Sequence, residues 1–152
     1  VKKTYKAIVW GNIKEDGIIK GNISRNPNNR IAFKLSNNGK YSESYYKLLS
    51  DYQLPLSYLS VSPLTGRTHQ IRVHLSSLSH PILNDNLYYP KNFNINSYHE
   101  KYIKELKIVL KNINRIALHA SSIDFLHPSK KKKIKLTAPL PDDFNNTLKY
   151  IK

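Results

Sequence analysis

The residues able to do chemistry concentrate between Leu64 and Leu75. From Arg67 to His74 stand two arginines, two histidines and a glutamine, just after a Thr65-Gly66 turn. Guanidinium groups beside the free amides of a helix start make an anion site, for a phosphate or a partner carboxylate. An ordinary amphipathic helix with a polar face produces the same pattern. A metal site is disfavoured, since the chain has no cysteine and His69, His74 and His80 have no carboxylate at ligand spacing. His99-Glu100 lacks the second helical histidine of a zinc protease, and no Gly-x-Ser-x-Gly elbow supports a hydrolase triad. Asp142-Asp143 reads as the cap of a C-terminal turn. Lys130 to Lys133 reads as a solvated hairpin tip or an RNA backbone contact.

The elements that must position these groups follow from periodicity. Tyr5, Ala7 and Val9 alternate with Lys6 and Ile8 up to Gly11, a half-buried strand. Further strands are expected over 18–23, 31–35, 44–49, 56–61, 118–126 and 134–137. Arg25 and Arg30 fall in a loop, and Asn37-Asn38-Gly39-Lys40 is a hairpin turn. A helix runs from Thr68 to about Leu78, with Ile71, Leu75 and Leu78 on its buried face and His80-Pro81 ending it. A second runs from Tyr98 to Ile113. The sum is one domain, 1–152, of the α+β class with a mostly antiparallel mixed sheet and a few helices.

Composition narrows the partner. Twenty-five Lys and Arg against ten Asp and Glu give a net charge of +15, which favours a polyanion such as nucleic acid. Twenty of the cations are lysine, and 16 asparagines and 16 isoleucines accompany them, a drift expected of an AT-rich genome. The five arginines, Arg25, Arg30, Arg67, Arg72 and Arg115, therefore mark sites needing a planar fork. No apolar run reaches the roughly 20 residues of a membrane span. The Lys2-Lys3 start has no apolar stretch behind it to make a signal peptide. A monomer in the cytoplasm, or in an organelle, is the expectation. The chain contains no methionine, even at position 1, and so reads as a fragment or a processed chain.

The stretch Leu64-Thr65-Gly66-Arg67-Thr68-His69-Gln70-Ile71-Arg72-Val73-His74 resembles the signature block of the RluA family of pseudouridine synthases. Lys3-Thr4-Tyr5-Lys6-Ala7 with Gly11 resembles that family's Lys-x-Tyr-x-Ala strand. His80-Pro81-Ile82 with Asp85 and Tyr88 resembles the segment after its helix. Arg115, Leu118-His119-Ala120, Phe125 and His127-Pro128 follow in the family's order, and Ala138-Pro139-Leu140-Pro141 resembles its closing segment. Five ordered matches across the chain are far more specific than one.

The resemblance implies a pseudouridine-synthase catalytic domain that isomerises uridine in ribosomal or transfer RNA without cofactor or metal. The target base must leave its stack. The resemblance gives Arg72 as the cation pairing with a nucleophilic aspartate and Tyr5 as the aromatic beside the uracil. Arg67, His69 and Gln70 contact RNA or hold the helix cap, while Arg25, Arg30 and Lys3 are further RNA contacts. His74, His119 and His127 read as structural. The family's nucleophile lies in an Arg-Leu-Asp motif upstream of the Lys-x-Tyr strand. None of Asp16, Asp51, Asp85, Asp124, Asp142 and Asp143 follows Arg-Leu, so the domain reads as incomplete at its N-terminus and inactive alone. Ser79 and Asn84 stand where the family has glycine; asparagine accepts positive φ readily, whereas Ser79 strains its turn. The rival readings are a non-catalytic RNA-binding module of the same fold and a basic ribonucleoprotein component.

Overall fold

The computed structural model describes residues 1–152. Seven strands, β1 (Lys2–Trp10), β2 (Gly17–Asn26), β3 (Asn29–Leu35), β4 (Lys40–Asp51), β5 (Leu56–Pro63), β6 (Leu118–Leu126) and β7 (Lys133–Thr137), form one sheet. Its order is β3-β2-β4-β5-β1-β6-β7. The helices are α1 (Gln70–Ser77), α2 (Glu100–Asn112) and α3 (Asp142–Tyr150), with 3₁₀ turns at Asn86–Tyr88 and Ile95–Ser97. None is long and apolar enough to cross a membrane.

The expected α+β class holds, but the sheet is antiparallel at every pairing rather than mixed. The excursion through α1 and α2 between β5 and β6 explains this. It returns the chain to the far side of β1 running as β5 did, so β1 opposes both neighbours. That makes β1 a central strand, and its alternation is misleading in its second half. Ala7, Ile8 and Val9 are fully buried and Trp10 nearly so, which covers both faces of the sheet there. Trp10 Nε1 donates to the Tyr89 hydroxyl at 2.9 Å, and its ring stacks on Tyr98.

Two turns after α1 adopt backbone that glycine usually supplies. Ser79 and Asn84 both have φ of 64°. These are the positions where the resemblance called for glycine. Gly11 itself has φ of 87°, and a Cβ there would lie 2.6 Å from His80 Nδ1.

The expected C-terminal turn is instead the helix α3, which closes the core with Phe144 fully buried. Arg115 clamps its start, donating from Nε and Nη2 to the two oxygens of Asp143 at 2.9 and 3.0 Å. Phe144, Leu148 and Ile151 at i, i+4 and i+7, behind Pro141 and two aspartates, were the signal for it.

Candidate active site

Helix α1 carries most of the site, and a glutamine fixes where it starts. Gln70 Oε1 accepts from the Arg67 amide at 3.0 Å and the Thr65 hydroxyl at 2.7 Å. Its Nε2 donates to the Glu43 carbonyl and the Ser44 hydroxyl, both at 2.9 Å. Both lone pairs and both N–H groups are thus engaged, and the residue is 4% exposed. Of its two expected roles, Gln70 fills the cap and not the RNA contact, because it has no group left to offer. The helix begins at Gln70 and not Thr68, since His69 stands before it with φ of 53°. Left-handed backbone costs a non-glycine residue about 1 kcal/mol. Packing holds it: His69 Nδ1 lies 2.6 Å from the Tyr88 hydroxyl, and its ring meets Phe33 and Tyr88 edge-on.

Arg72 lies nearly one turn further on. Its Nε and Nη2 donate to Asp85 Oδ2 and Oδ1 at 2.8 Å each. Its Cζ sits 4.8 Å from the centre of the Tyr88 ring. A carboxylate therefore holds the guanidinium by one edge and an aromatic ring holds it by a face. The side chains of Arg72 and Asp85 are 17% and 1% exposed. This corrects the expectation that the chain supplies no acid for Arg72. That acid, Asp85, is brought in by the turn after α1 and is a structural partner of Arg72, distinct from the nucleophile that the resemblance places upstream. Two oxygens cover two of the five donors, so Nη1 and the second Nη2 hydrogen stay uncommitted.

Charge states follow from these contacts. The Asp85 hydrogen bonds raise Arg72 above its ordinary range, so it is always a cation. Burial, and then the neighbouring Arg72 charge, hold His69 below the usual histidine range. His74 is fully buried, with Nε2 2.8 Å from Ser42 Oγ and Nδ1 2.9 Å from Ser44 Oγ. Burial pushes it down to about 4, so it is a neutral strut between α1 and β4.

A cleft of about 410 Å³ opens between the start of β1, the Pro63–Arg67 turn and α1. Tyr5 and Arg72 both line it, together with Lys3, Arg67, His69 and Leu118. A register shift between Thr4 and Tyr5, opposite β6, leaves Ser121 unpaired beside Tyr5. Bulges of this kind re-aim a side chain. No aspartate or glutamate lines the cleft; Asp85 sits behind Arg72.

Arg25 and Arg30 do not reach this cleft. They lie on β2 and β3, not in a loop, because the two strands run on to a tight turn at Asn26–Asn29. Arg25 places its Cζ 5.0 Å from the Phe33 ring centre, and its Nη1 donates to the Arg30 carbonyl. Asp85, Tyr88 and Phe33 are the site residues that periodicity missed. Asp85 and Tyr88 stand at the two ends of one 3₁₀ turn and Phe33 on β3, so no periodic spacing connects them with Arg72. The only trace was the Asp85 and Tyr88 positions in the segment resembling the family.

Comparison with known proteins agrees with this geometry. The family model "RNA pseudouridylate synthase" matches residues 1–77. Ribosomal large subunit pseudouridine synthase D of Buchnera aphidicola subsp. Schizaphis graminum is 35% identical over 152 residues, covering 99% of this chain and 46% of that protein. Synthase C of Buchnera aphidicola subsp. Baizongia pistaciae is 37% identical, covering 99% of this chain and 45% of that protein. Human RNA pseudouridylate synthase domain containing 1 superposes with a TM-score of 0.70 at 28% identity, over 92% of this chain and 55% of its own. The chain spans about half the length of the curated relatives it matches. With the family model covering just over half of its residues, and the motif residues Tyr5 and Arg72 in one cleft, the chain belongs to the RNA pseudouridylate synthase family.

Proposed function

We propose that the protein carrying this chain isomerises uridine to pseudouridine in RNA, through an aspartate that comes from outside these 152 residues. The observation that carries the reading is one cleft holding an aromatic ring and several cations but no carboxylate: Tyr5 faces Lys3, Arg67 and Arg72 there. The names of the relatives in Buchnera favour ribosomal large-subunit RNA over transfer RNA. A monomer acting in the cytoplasm completes the reading. The resemblance implies a reaction that uses no metal or cofactor.

In this mechanism the aspartate attacks the flipped nucleotide and the bond from C1′ to N1 breaks. The freed uracil turns, C5 bonds to C1′ as the bond from C1′ to the aspartate breaks and frees the carboxylate, C5 loses its proton and N1 gains one. Arg72 holds the attacking carboxylate through the donors that Asp85 leaves free. The Tyr5 ring covers the uracil while it is detached, and a site closed to water keeps it from escaping.

The test is pseudouridine formation by the full gene product on RNA. Arg72→Ala lowers it about 100-fold, the scale of losing one oriented donor to a reacting charge. Full activity in that variant removes Arg72 from the mechanism. The absence of a carboxylate from the cleft also suits a second reading, a non-catalytic RNA-binding module. An Arg-Leu-Asp segment encoded ahead of Val1 decides for the enzyme, and its absence from the intact gene decides for the module.

A further inference from the structure

Beside the Tyr5 cleft lies a second groove of about 410 Å³, between the β2–β3 hairpin and the turn that opens α1. Arg25, Phe33, Lys40 and Arg67 line it, and no acidic residue does. Gly66 and Arg67 belong to the walls of both spaces, so the two adjoin. We propose that this groove is the subsite for the nucleotide next to the target uridine, taking its phosphate on Arg67 and Lys40 and its base against Arg25. The proposal rests on the reading of the first cleft as the uridine site.

Three features support it. First, both arginines are held by backbone carbonyls on one side only. Arg67 Nε donates to the Tyr41 carbonyl at 2.8 Å, and Arg25 Nη1 donates to the Arg30 carbonyl. Neither guanidinium makes a salt bridge, so each keeps donors for an outside anion. Second, Arg25 rests over the Phe33 ring, and Phe33 in turn meets the edge of His69. A supported guanidinium is a surface on which an unstacked RNA base settles. Third, the junction is placed where the chemistry needs it. A uridine flipped against Tyr5 brings its neighbouring phosphate close to the cleft, and Arg67 lines both the cleft and the groove. Gly66 leaves room there, with nothing within 4 Å of where a Cβ would sit.

The experiment measures binding of the full gene product to a uridine mononucleotide and to short single-stranded uridine RNA over a salt series. The strand binds better than the mononucleotide. Arg25→Ala weakens strand binding about tenfold, as loss of a stacking surface does. Lys40→Ala and Arg25→Ala each reduce the slope of log affinity on log salt by about 1. Arg25→Lys restores the slope but not the affinity, because it returns the charge without the plane. Mononucleotide binding is unchanged in all three. Lys135→Ala, on β7 at the opposite edge of the sheet, serves as the control for general charge. If Arg25→Ala and Lys40→Ala behave like Lys135→Ala, the groove is not a subsite. Absence of pseudouridine formation by the full gene product, with these binding effects intact, would overturn the enzyme reading and leave an RNA groove. The converse pattern would leave the enzyme and remove the groove.

Discussion

Asp85 turns Arg72 from a mobile cation into a fixed one. With 1% exposure and both oxygens on the guanidinium, its own charge is balanced only by that pair. Asp85→Asn is therefore expected to destabilise the fold by about 3 kcal/mol, the scale of breaking a buried ion pair, measured by urea unfolding. Arg72→Ala strands the buried carboxylate and costs a similar amount. The double variant falls short of the sum by at least about 1 kcal/mol, since both singles break one interaction. Arg72→Lys separates fold from function: it keeps the charge and loses the two-pronged grip. Folded protein with little activity is its expected phenotype. His74 gives a second test at this scale. Its folded value of about 4 lies below the ordinary 6.5, so the unfolded chain binds the extra proton first. Stability is full above about pH 6.5 and falls as pH drops toward 4, by about 3 kcal/mol over the whole interval. Unfolding midpoints across that range check it; in His74→Gln this part of the slope is gone.

Turns and helix ends are where residue choice and backbone meet. Ser79 is exposed, has φ of 64° and uses no side-chain hydrogen bond to hold that conformation. Asn84 shares the φ but spends its amide on the Ile113 and Arg115 carbonyls, tying the turn to the end of α2. The same change to glycine thus has opposite signs. Ser79→Gly relieves strain and raises stability by about 0.5 kcal/mol, whereas Asn84→Gly lowers it by about 1 kcal/mol through lost hydrogen bonds. Thermal unfolding of the two variants checks the contrast. What could be read in advance divides along the same line. Strands and helices were legible because each repeats its own apolar period, and β5 and α2 appear within a few residues of expectation. Tyr5 and Arg72 were legible only through motif resemblance, since a tyrosine in a strand and an arginine on a helix are ordinary. Asp85 was in view but unassigned, because a pairing across a turn leaves no periodic mark. The direction of Arg25 and Arg30 depended on where a hairpin tips, and asparagine-rich sequence blurs that boundary. The strut role of His74 depended on two serines contributed by another strand.

Across the whole molecule, the charge is unbalanced in a patterned way. Only three ion pairs form, Lys20–Glu43, Arg72–Asp85 and Arg115–Asp143. Two of the five arginines are spent on forked grips of an aspartate, at Arg72 and Arg115, which lysine could not reproduce. Arg25 and Arg67 keep free donors beside the two adjoining grooves. Lysines elsewhere add a diffuse field that speeds encounter with a polyanion but carries no register. Binding and chemistry therefore separate in this chain. The cations of the grooves belong to these 152 residues, and so does the 20-residue core that positions them. On the proposed reading, the carboxylate that the reaction consumes and regenerates comes from elsewhere, since none lines the cleft and Asp85 is paired with Arg72. The 152-residue chain alone is expected to bind single-stranded RNA with an affinity that falls steeply as salt rises, and to form no pseudouridine. Mass-silent isomerisation is read by chemical labelling of the product nucleoside. Turnover by this chain would mean that one of its own carboxylates reaches the uridine, and then Asp85 would have to leave Arg72 to do so, which Asp85→Asn would abolish.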